Sequence, residues 1–318
     1  MAIMTKRLFL AVLISATLAI SAEGAKYAGD SFSLGAGGRA LAMGAATIAG
    51  PFDASTVYWN PAGLNYLEGN NLLAMHGETF GSLLNHDFVA FTKLRPDCSC
   101  PIKGYGFYLY YLGGNGIKIT DVNPQTGRPY AVDNKSHGDF YVGASFSMKP
   151  RGKVDLGATI RVLFRDIPSQ SGFGASFDAG LLYKAGSSLM LGLSAVDITT
   201  GFIKYSNGNT ESILPTIKPA ISYSRPIGNI MGRLAISGDI KFEGRRKAAQ
   251  VDMGEISLDS HFGLEISYRE ILFGRTGLDA GDFTTGLGVR INRLTFDFNY
   301  LYNSELDETF RASAGIQF

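Results

Sequence analysis

The 318-residue sequence predicts an all-β protein, a transmembrane antiparallel β-barrel of about 14 strands. Three observations predict it: an N-terminal export signal, many segments in which apolar and polar residues alternate, and a last residue that is aromatic. The composition agrees, because the chain contains 40 glycines and 12% aromatic residues but only 18% charged residues. So much glycine disfavours a helical protein, since glycine costs about 1 kcal/mol per helix-interior position relative to alanine.

Residues 1–25 have the organisation of a signal peptide. Lys6 and Arg7 form a charged start, an apolar run follows at 8–20, and small residues surround the expected cleavage region at 21–25. The apolar run is shorter than the roughly 17–25 residues that a membrane-spanning helix needs. We therefore expect export through the inner membrane, followed either by release as a soluble protein or by insertion into the cell outer membrane as a multi-pass barrel.

The remainder of the chain consists of alternating segments. In residues 294–302 the even positions are leucine, phenylalanine or tyrosine, while the odd positions include Asp297 and Asn299. This period-two pattern predicts strands with one apolar face, and runs of nine to twelve residues suit a tilted membrane strand better than a sandwich strand. Fourteen strands are expected, at 71–80, 86–94, 105–112, 139–149, 153–165, 173–185, 189–197, 217–226, 232–243, 258–268, 272–279, 282–291, 293–302 and 308–318.

Twelve strands remain an alternative, because residues 71–80, 189–197 and 272–279 alternate poorly. The connections favour the barrel in either case. Tight turns, such as 150–152 and 186–188, alternate along the chain with long polar loops at 113–138, 198–216 and 244–257, as in outer-membrane barrels.

The C-terminal strand carries an independent signal. Phe310, Ala312, Ala314, Ile316 and Phe318 share one face of the last predicted strand. A terminal aromatic residue of this kind resembles the signature recognised by barrel assembly machinery. We therefore expect this machinery to bind Phe318 and outer-membrane lipids to surround the inserted barrel.

Residues 34–64 carry a resemblance to known proteins, through a set of glycine, aromatic and polar positions. These positions are Arg39, Met43, Gly44, Asp53, Ser55, Trp59, Asn60, Pro61 and Gly63. The segment resembles the start of FadL-type long-chain fatty acid transporters and of the PorV/PorQ family, although Pro51-Phe52-Asp53 stands where members often carry two acidic residues.

The resemblance implies a fourteen-stranded barrel at residues 71–318, with its lumen plugged by an N-terminal hatch at residues 26–70. In FadL-type proteins a hydrophobic ligand is captured outside and leaves through a lateral opening in the wall. In PorV-like proteins the same architecture serves a protein secretion system. An ordinary turn before the first strand is the alternative explanation of Asn60 and Pro61.

Charged residues on the polar faces of the strands predict a polar lumen that satisfies the backbone of the hatch. They are Arg161, Arg165, Asp178, Arg233, Asp239, Glu265, Arg290 and Asp297. The alternative is that these charges are solvated or pair with each other.

Several other functions find little support. A net charge of +1 offers no basic stripe for nucleic acid, so no nucleic-acid partner is expected. Residues 35–40 fit a dinucleotide-binding fingerprint, but no strand precedes them and the segment is too rich in glycine for a good helix. Cys98, Cys100 and four scattered histidines have no metal-ligand spacing, so we expect no metal, no cofactor and no catalytic residues. A barrel-embedded lipase has no local signature, so that alternative stays open.

Two functions therefore remain, and the preferred one is uptake or export of fatty acids or hydrocarbons through the hatch-plugged lumen. Loop 198–216 offers Phe202, Ile203 and Tyr205 as a landing surface for such a ligand. The alternative is a PorV/PorQ-like component of a secretion system that binds exported proteins, which the polar loop 113–138 suits better than lipid capture.

Overall fold

The computed structural model describes residues 29–95, 99–150, 152–303 and 307–318. The predicted signal peptide and Cys98 lie outside the described residues. No helix in the described part of the chain combines the length and apolar character that a transmembrane helix needs.

The described residues form 17 strands in one antiparallel sheet, with two short helices before the first strand. The strands are β1 (Asn70–Thr79), β2 (Leu84–Leu94), β3 (Ile102–Val122), β4 (Pro129–Met148), β5 (Val154–Ile167), β6 (Gln170–Lys184), β7 (Leu189–Val196), β8 (Gly201–Tyr205), β9 (Thr210–Ile213), β10 (Thr216–Ile227), β11 (Ile230–Lys241), β12 (Val251–Asp252), β13 (Ser257–Tyr268), β14 (Leu272–Asp279), β15 (Asp282–Ile291), β16 (Leu294–Tyr302) and β17 (Thr309–Gln317). The helices are α1 (Gly38–Ala42) and α2 (Thr56–Trp59), and 3₁₀ turns occur at Asp30–Phe32, Pro61–Tyr66 and Arg246–Ala248.

Fourteen of these strands close a barrel. Each pairs with its neighbours along the chain, and β1 closes the circuit by pairing with both β2 and β17. The hairpin of β8 and β9 and the short β12 are additions at one end of the circuit. The expectation of about fourteen strands is confirmed, and the alternative of twelve is wrong.

The two faces of the wall differ as the alternation predicts. Apolar side chains on the outer face, such as Phe107, Phe164, Leu234 and Phe298, stay 47–54% exposed. Polar side chains between them point inward and are buried. An exposed apolar band around a closed sheet is the surface that a lipid-facing barrel wall needs.

The connections separate into two ends. The turn end has the connections 95–101, 149–153, 185–188, 228–229, 269–271 and 292–293, and it also holds the start of β1 and the end of β17. The loop end has the connections 80–83, 123–128, 168–169, 197–215, 242–256, 280–281 and 303–308.

All three predicted long loops contain strands, although loop 244–257 contains only the two-residue β12. The expected loop 113–138 is largely a two-stranded ribbon, because β3 and β4 continue to pair with each other far beyond their other neighbours. β-Branched residues such as Ile117, Ile119 and Val132 favour this extended pairing. The expected loop 198–216 contains the hairpin of β8 and β9.

Residues 29–69, here called the N-terminal segment, pack against the inner face of the barrel. Residues 35–50 and 54–65 are all buried. Helix α1 contacts β14–β17, and the turn Pro61–Tyr66 contacts β2–β6 on the other side. A methyl group on Gly157 would overlap the backbone of Pro61 and Ala62, so glycine in the wall allows this close approach.

Candidate functional site

A small cavity lies at the loop end, between the N-terminal segment and strands β7, β10 and β11. Its volume is about 60 Å³, and we call it the loop-end cavity. Its apolar lining comes from Phe32, Tyr58, Trp59, Ile213 and Leu214. Its polar lining includes Asp30, Asp197, Lys218, Asp239 and Lys241. A cavity of this size holds a few waters and is too small for an organic ligand until its lining moves.

The barrel wall beside this cavity is irregular. Strand β6 pairs with β7 as far as Ala179 opposite Ala195, and with β8 from Ala175 opposite Phe202. Residues 176–178 of β6 therefore lie opposite six residues, 196–201, where the chain passes from β7 to β8. The chain bulges at this point. Asp197, in this bulge, has a φ of 56°, a left-handed conformation that is uncommon outside glycine.

Arg161 links this bulge to the N-terminal segment. Its guanidinium lies 3.2 Å from the Asp178 carboxylate and 2.5 Å from that of Asp197. The guanidinium also lies 3.9 Å from the centre of the Phe32 ring, in a cation–π arrangement. Arg161 is 3% exposed, and pairing with two carboxylates compensates for the cost of burying its charge.

A second charged cluster lies deeper in the barrel, around Glu265. The Glu265 carboxylate accepts hydrogen bonds from Arg39 at 2.7 and 2.9 Å, from Arg233 at 2.8 Å and from Arg275 at 2.7 Å. Arg275 also donates to Asp297 at 2.7 Å. Burial alone would lower the pKa of Arg39, but the Glu265 carboxylate raises it above its usual value, so Arg39 is charged.

The other predicted lumen charges also have defined neighbours. Arg165 donates to both carboxylate oxygens of Asp139, at 2.8 and 2.7 Å, and Asp239 accepts from Lys218 at 2.6 Å. Within the predicted set, Arg161 pairs with Asp178 and Arg233 pairs with Glu265. Arg165, Asp239 and Asp297 pair with residues outside the set. Arg290 differs, since no described carboxylate lies within 4 Å of it.

Sequence reasoning missed several of the partners. Asp197 and Arg275 lie in two of the poorly alternating segments, 189–197 and 272–279. Asp139 and Lys218 lie at the starts of the predicted strands 139–149 and 217–226. Their positions across the sheet would have identified them, but only with the register of the strands known.

Several of the predicted hatch-motif residues form hydrogen bonds within the N-terminal segment. Asp53 accepts from the backbone N–H and hydroxyl of Ser55 at 2.8 and 2.6 Å. Trp59 Nε1 donates to the Ala36 carbonyl at 2.7 Å. Asn60 is fully buried, donates to the Ile48 carbonyl at 2.9 Å and accepts from the N–H of Ala62 at 3.1 Å, just before Pro61 begins a 3₁₀ turn.

Two glycines of the motif allow tight packing. Met43 is fully buried, and Gly44, with a φ of 60°, lies against the backbone of Phe262 and Leu278. Gly63 leaves no room for a methyl group beside Phe52.

The three predicted ligand-loop residues lie apart from the loop-end cavity. Phe202 is 43% exposed, while Ile203 and Tyr205 are buried, and none of the three lines the cavity. Ile213 and Leu214, from the same connection, line it instead.

A larger cavity of about 480 Å³ opens at the turn end and is polar. Its lining includes five arginines, namely Arg39, Arg233, Arg275, Arg290 and Arg293. The Phe273 ring forms its floor, with the guanidiniums of Arg39, Arg275 and Arg290 between 5.0 and 5.9 Å from the ring centre.

Three solved structures share this architecture. The toluene transporter TbuX of Ralstonia pickettii is 12% identical, the alignment covers 89% of this chain and 97% of that one, and the TM-score is 0.59. The toluene transporter TodX of Pseudomonas putida is 9% identical, with 88% and 97% covered and a TM-score of 0.57. The monoaromatic hydrocarbon channel CymD is 11% identical, with 90% and 98% covered and a TM-score of 0.55.

These likenesses show the fold. They confirm that the chain resembles FadL-type outer-membrane barrels in architecture, as residues 34–64 had indicated. All three structures are described as transporters or channels. No protein-family model and no curated protein match the sequence.

Proposed function

We propose that the protein is an outer-membrane barrel that carries hydrophobic small molecules, of the fatty-acid or hydrocarbon type, through its lumen. The observation that carries the proposal is the apolar side of the loop-end cavity, where Phe32, Trp59 and Leu214 meet beside the bulge between β7 and β8. The shared fold with hydrocarbon channels supports it.

The proposed route begins at the loop end. A hydrophobic molecule enters between Leu214 and the 3₁₀ turn Asp30–Phe32, which must move because the cavity is small. The ligand then leaves either sideways at the bulge, where the pairing of β6 is irregular, or past the N-terminal segment towards the turn end. In this proposal the N-terminal segment acts as a hatch that keeps hydrophilic solutes from crossing.

Trp59 provides a direct test, because it is the single tryptophan of the chain and it lines the cavity. The purified protein is titrated with toluene, a long-chain alkane and a long-chain fatty acid while Trp59 fluorescence is recorded. We expect a saturable change with at least one of them, and at least tenfold weaker binding for Leu214→Arg, because a charged side chain then faces the apolar lining.

The matched control is Leu83→Arg, which places the same charge on a 72% exposed loop-end residue outside the cavity. Uptake of the bound ligand by cells that express each variant completes the experiment. Absence of any saturable response, or equal binding and uptake by both variants, contradicts the proposed function.

A second candidate is a secretion component that binds exported proteins, and the ribbon of β3 and β4 favours it. Residues 114–122 and 129–137 extend about 30 Å beyond the strands next to them, with both outer edges unpaired. Open strand edges are suited to pairing with another chain. A variant with a short turn in place of 115–136 distinguishes the two candidates: it keeps transport under the first and loses a co-purifying exported protein under the second.

A further inference from the structure

The turn end of the barrel is strongly basic, although the whole chain is nearly neutral. Seven basic side chains among its described residues are exposed: Arg95, Lys149, Lys153, Lys184, Arg225, Arg269 and Arg293. In the same described region a single acidic side chain, that of Glu68, is exposed.

The loop end has a different balance. Six described basic residues are exposed there, namely Lys118, Arg128, Lys135, Lys204, Arg246 and Lys247. Eight described acidic residues accompany them, namely Glu78, Asp121, Asp133, Asp166, Asp252, Glu255, Asp307 and Glu308. The two ends therefore carry opposite net charge on their exposed side chains, and the near-zero total hides this asymmetry.

The basic residues of the turn end form a ring around the barrel, here called the basic ring. Four of the six connections at this end contain at least one of them, and Lys184 and Arg225 lie at the strand ends that lead into the other two. None of the seven lies within 4 Å of a described carboxylate, so the ring is not a set of internal ion pairs. A protein partner would dock on one side of the barrel, whereas membrane lipids surround it.

Tyrosines place the basic ring at the level of the lipid head groups. Tyr183, Tyr223 and Tyr268 point outward at this end and are 38–46% exposed. Tyrosine prefers the membrane–water interface, where its ring is apolar and its hydroxyl is hydrated. The Arg269 guanidinium lies 5.2 Å from the centre of the Tyr268 ring, so the cation and the interfacial aromatic occupy the same depth.

From this arrangement we propose that the basic ring binds the phosphate groups of anionic phospholipids in the leaflet at the turn end. The ligand chemistry is a phosphate diester held at the membrane surface, which arginine and lysine side chains attract without a preformed pocket. Such binding fixes the depth and tilt of the barrel. It depends on the membrane-spanning fold and not on transport, so the two proposals fail independently.

The test compares lipid selectivity in bilayers. The full-length protein is reconstituted in phosphatidylcholine with a minor fraction of phosphatidylglycerol, and the association of spin-labelled forms of both lipids is measured. We expect a several-fold preference for the anionic lipid that decreases at high salt. The variant with Lys149, Lys153, Lys184, Arg225, Arg269 and Arg293 all changed to Gln should bind the two lipids nearly equally.

The matched control changes the six exposed basic residues of the loop end to Gln, which removes the same charge from the other end. It should keep the preference, provided that both variants run as folded barrels on unheated gels. No preference in the original protein, or equal loss in both variants, overturns the proposal. Loss of the preference on adding inorganic phosphate, but not chloride of equal ionic strength, assigns the ring to a free anion and also overturns it.

Discussion

Arg39 and Glu265 form a bidentate ion pair inside the barrel, with Nε and Nη2 of Arg39 at 2.9 and 2.7 Å from the two carboxylate oxygens. The pair joins the N-terminal segment to strand β13 across 226 positions of sequence. Glu265 is fully buried and also accepts from Arg233 and Arg275. One carboxylate therefore binds three guanidiniums, and that of Arg39 attaches the N-terminal segment to the wall.

Glu265→Gln should lower the free energy of unfolding by about 3–5 kcal/mol, the usual effect of leaving buried charges without their partner. The midpoint of urea unfolding in detergent or lipid measures this. Glu255→Gln is the control, because Glu255 is exposed at the loop end and surface changes usually alter stability by about 0.5 kcal/mol or less. Equal midpoints for the two variants would contradict the assigned role of Glu265.

Gly157→Ala should displace the N-terminal segment, because the added methyl group would overlap the backbone of Pro61 and Ala62. Overpacking of this kind costs about 1–3 kcal/mol. We expect faster proteolysis of the segment and faster entry of small hydrophilic solutes into liposomes. Gly274→Ala, on a strand position with open space around it, should behave like the original protein; if both variants leak alike, the close approach at Gly157 has no functional importance.

Arg311→Met should stabilise the barrel. Arg311 is 3% exposed, its Nη1 donates to Asn299 at 3.3 Å, its Nε makes no hydrogen bond, and no described carboxylate lies within 4 Å of it. Replacing a buried ion pair by apolar side chains of similar volume often raises stability by about 1–4 kcal/mol, and Arg311 has no carboxylate within 4 Å in the described residues to offset the cost of its burial. Arg275→Met is the paired comparison and should have the opposite sign, because it leaves Glu265 and Asp297 with fewer cations. Unfolding midpoints that shift in the same direction would refute this account.

Deletion of residues 26–64 tests the proposed hatch. The described part of this range is largely buried against the inner face of the wall, so its removal should leave a wide lumen while β1 and β17 still close the barrel. We expect liposomes with the deleted form to admit hydrophilic solutes many times faster than those with the full chain. Unchanged permeability in a correctly folded barrel would exclude a plugging role for this segment.

Local pattern was enough to predict the strands that face lipid. In β16 the alternation of Phe296 and Phe298 with Asp297 and Asn299 records the two faces of the wall directly. Ribbon length was not predictable in this way. The expected loop 113–138 pairs as β3 and β4 because the two strands stabilise each other outside the barrel, where neither face needs to be apolar.

For the lumen charges, the sequence likewise predicted which residues face inward but not which residues they pair with. Arg161, Asp178 and Glu265 were recognisable as inward-facing from their place in the alternation, but their partners were not. Asp197 reaches Arg161 only because the chain bulges between β7 and β8, and this bulge has no signature in the sequence.

The sequence by itself determined the fold class, the face of most strands and the close fit of residues 34–64, because these follow from local alternation and from small residues at fixed positions. Only the tertiary structure decided which charges meet, where the loop-end cavity lies and how the basic ring encircles one end. Those features depend on the register of neighbouring strands and on the closure of β1 against β17, which join residues far apart in the chain.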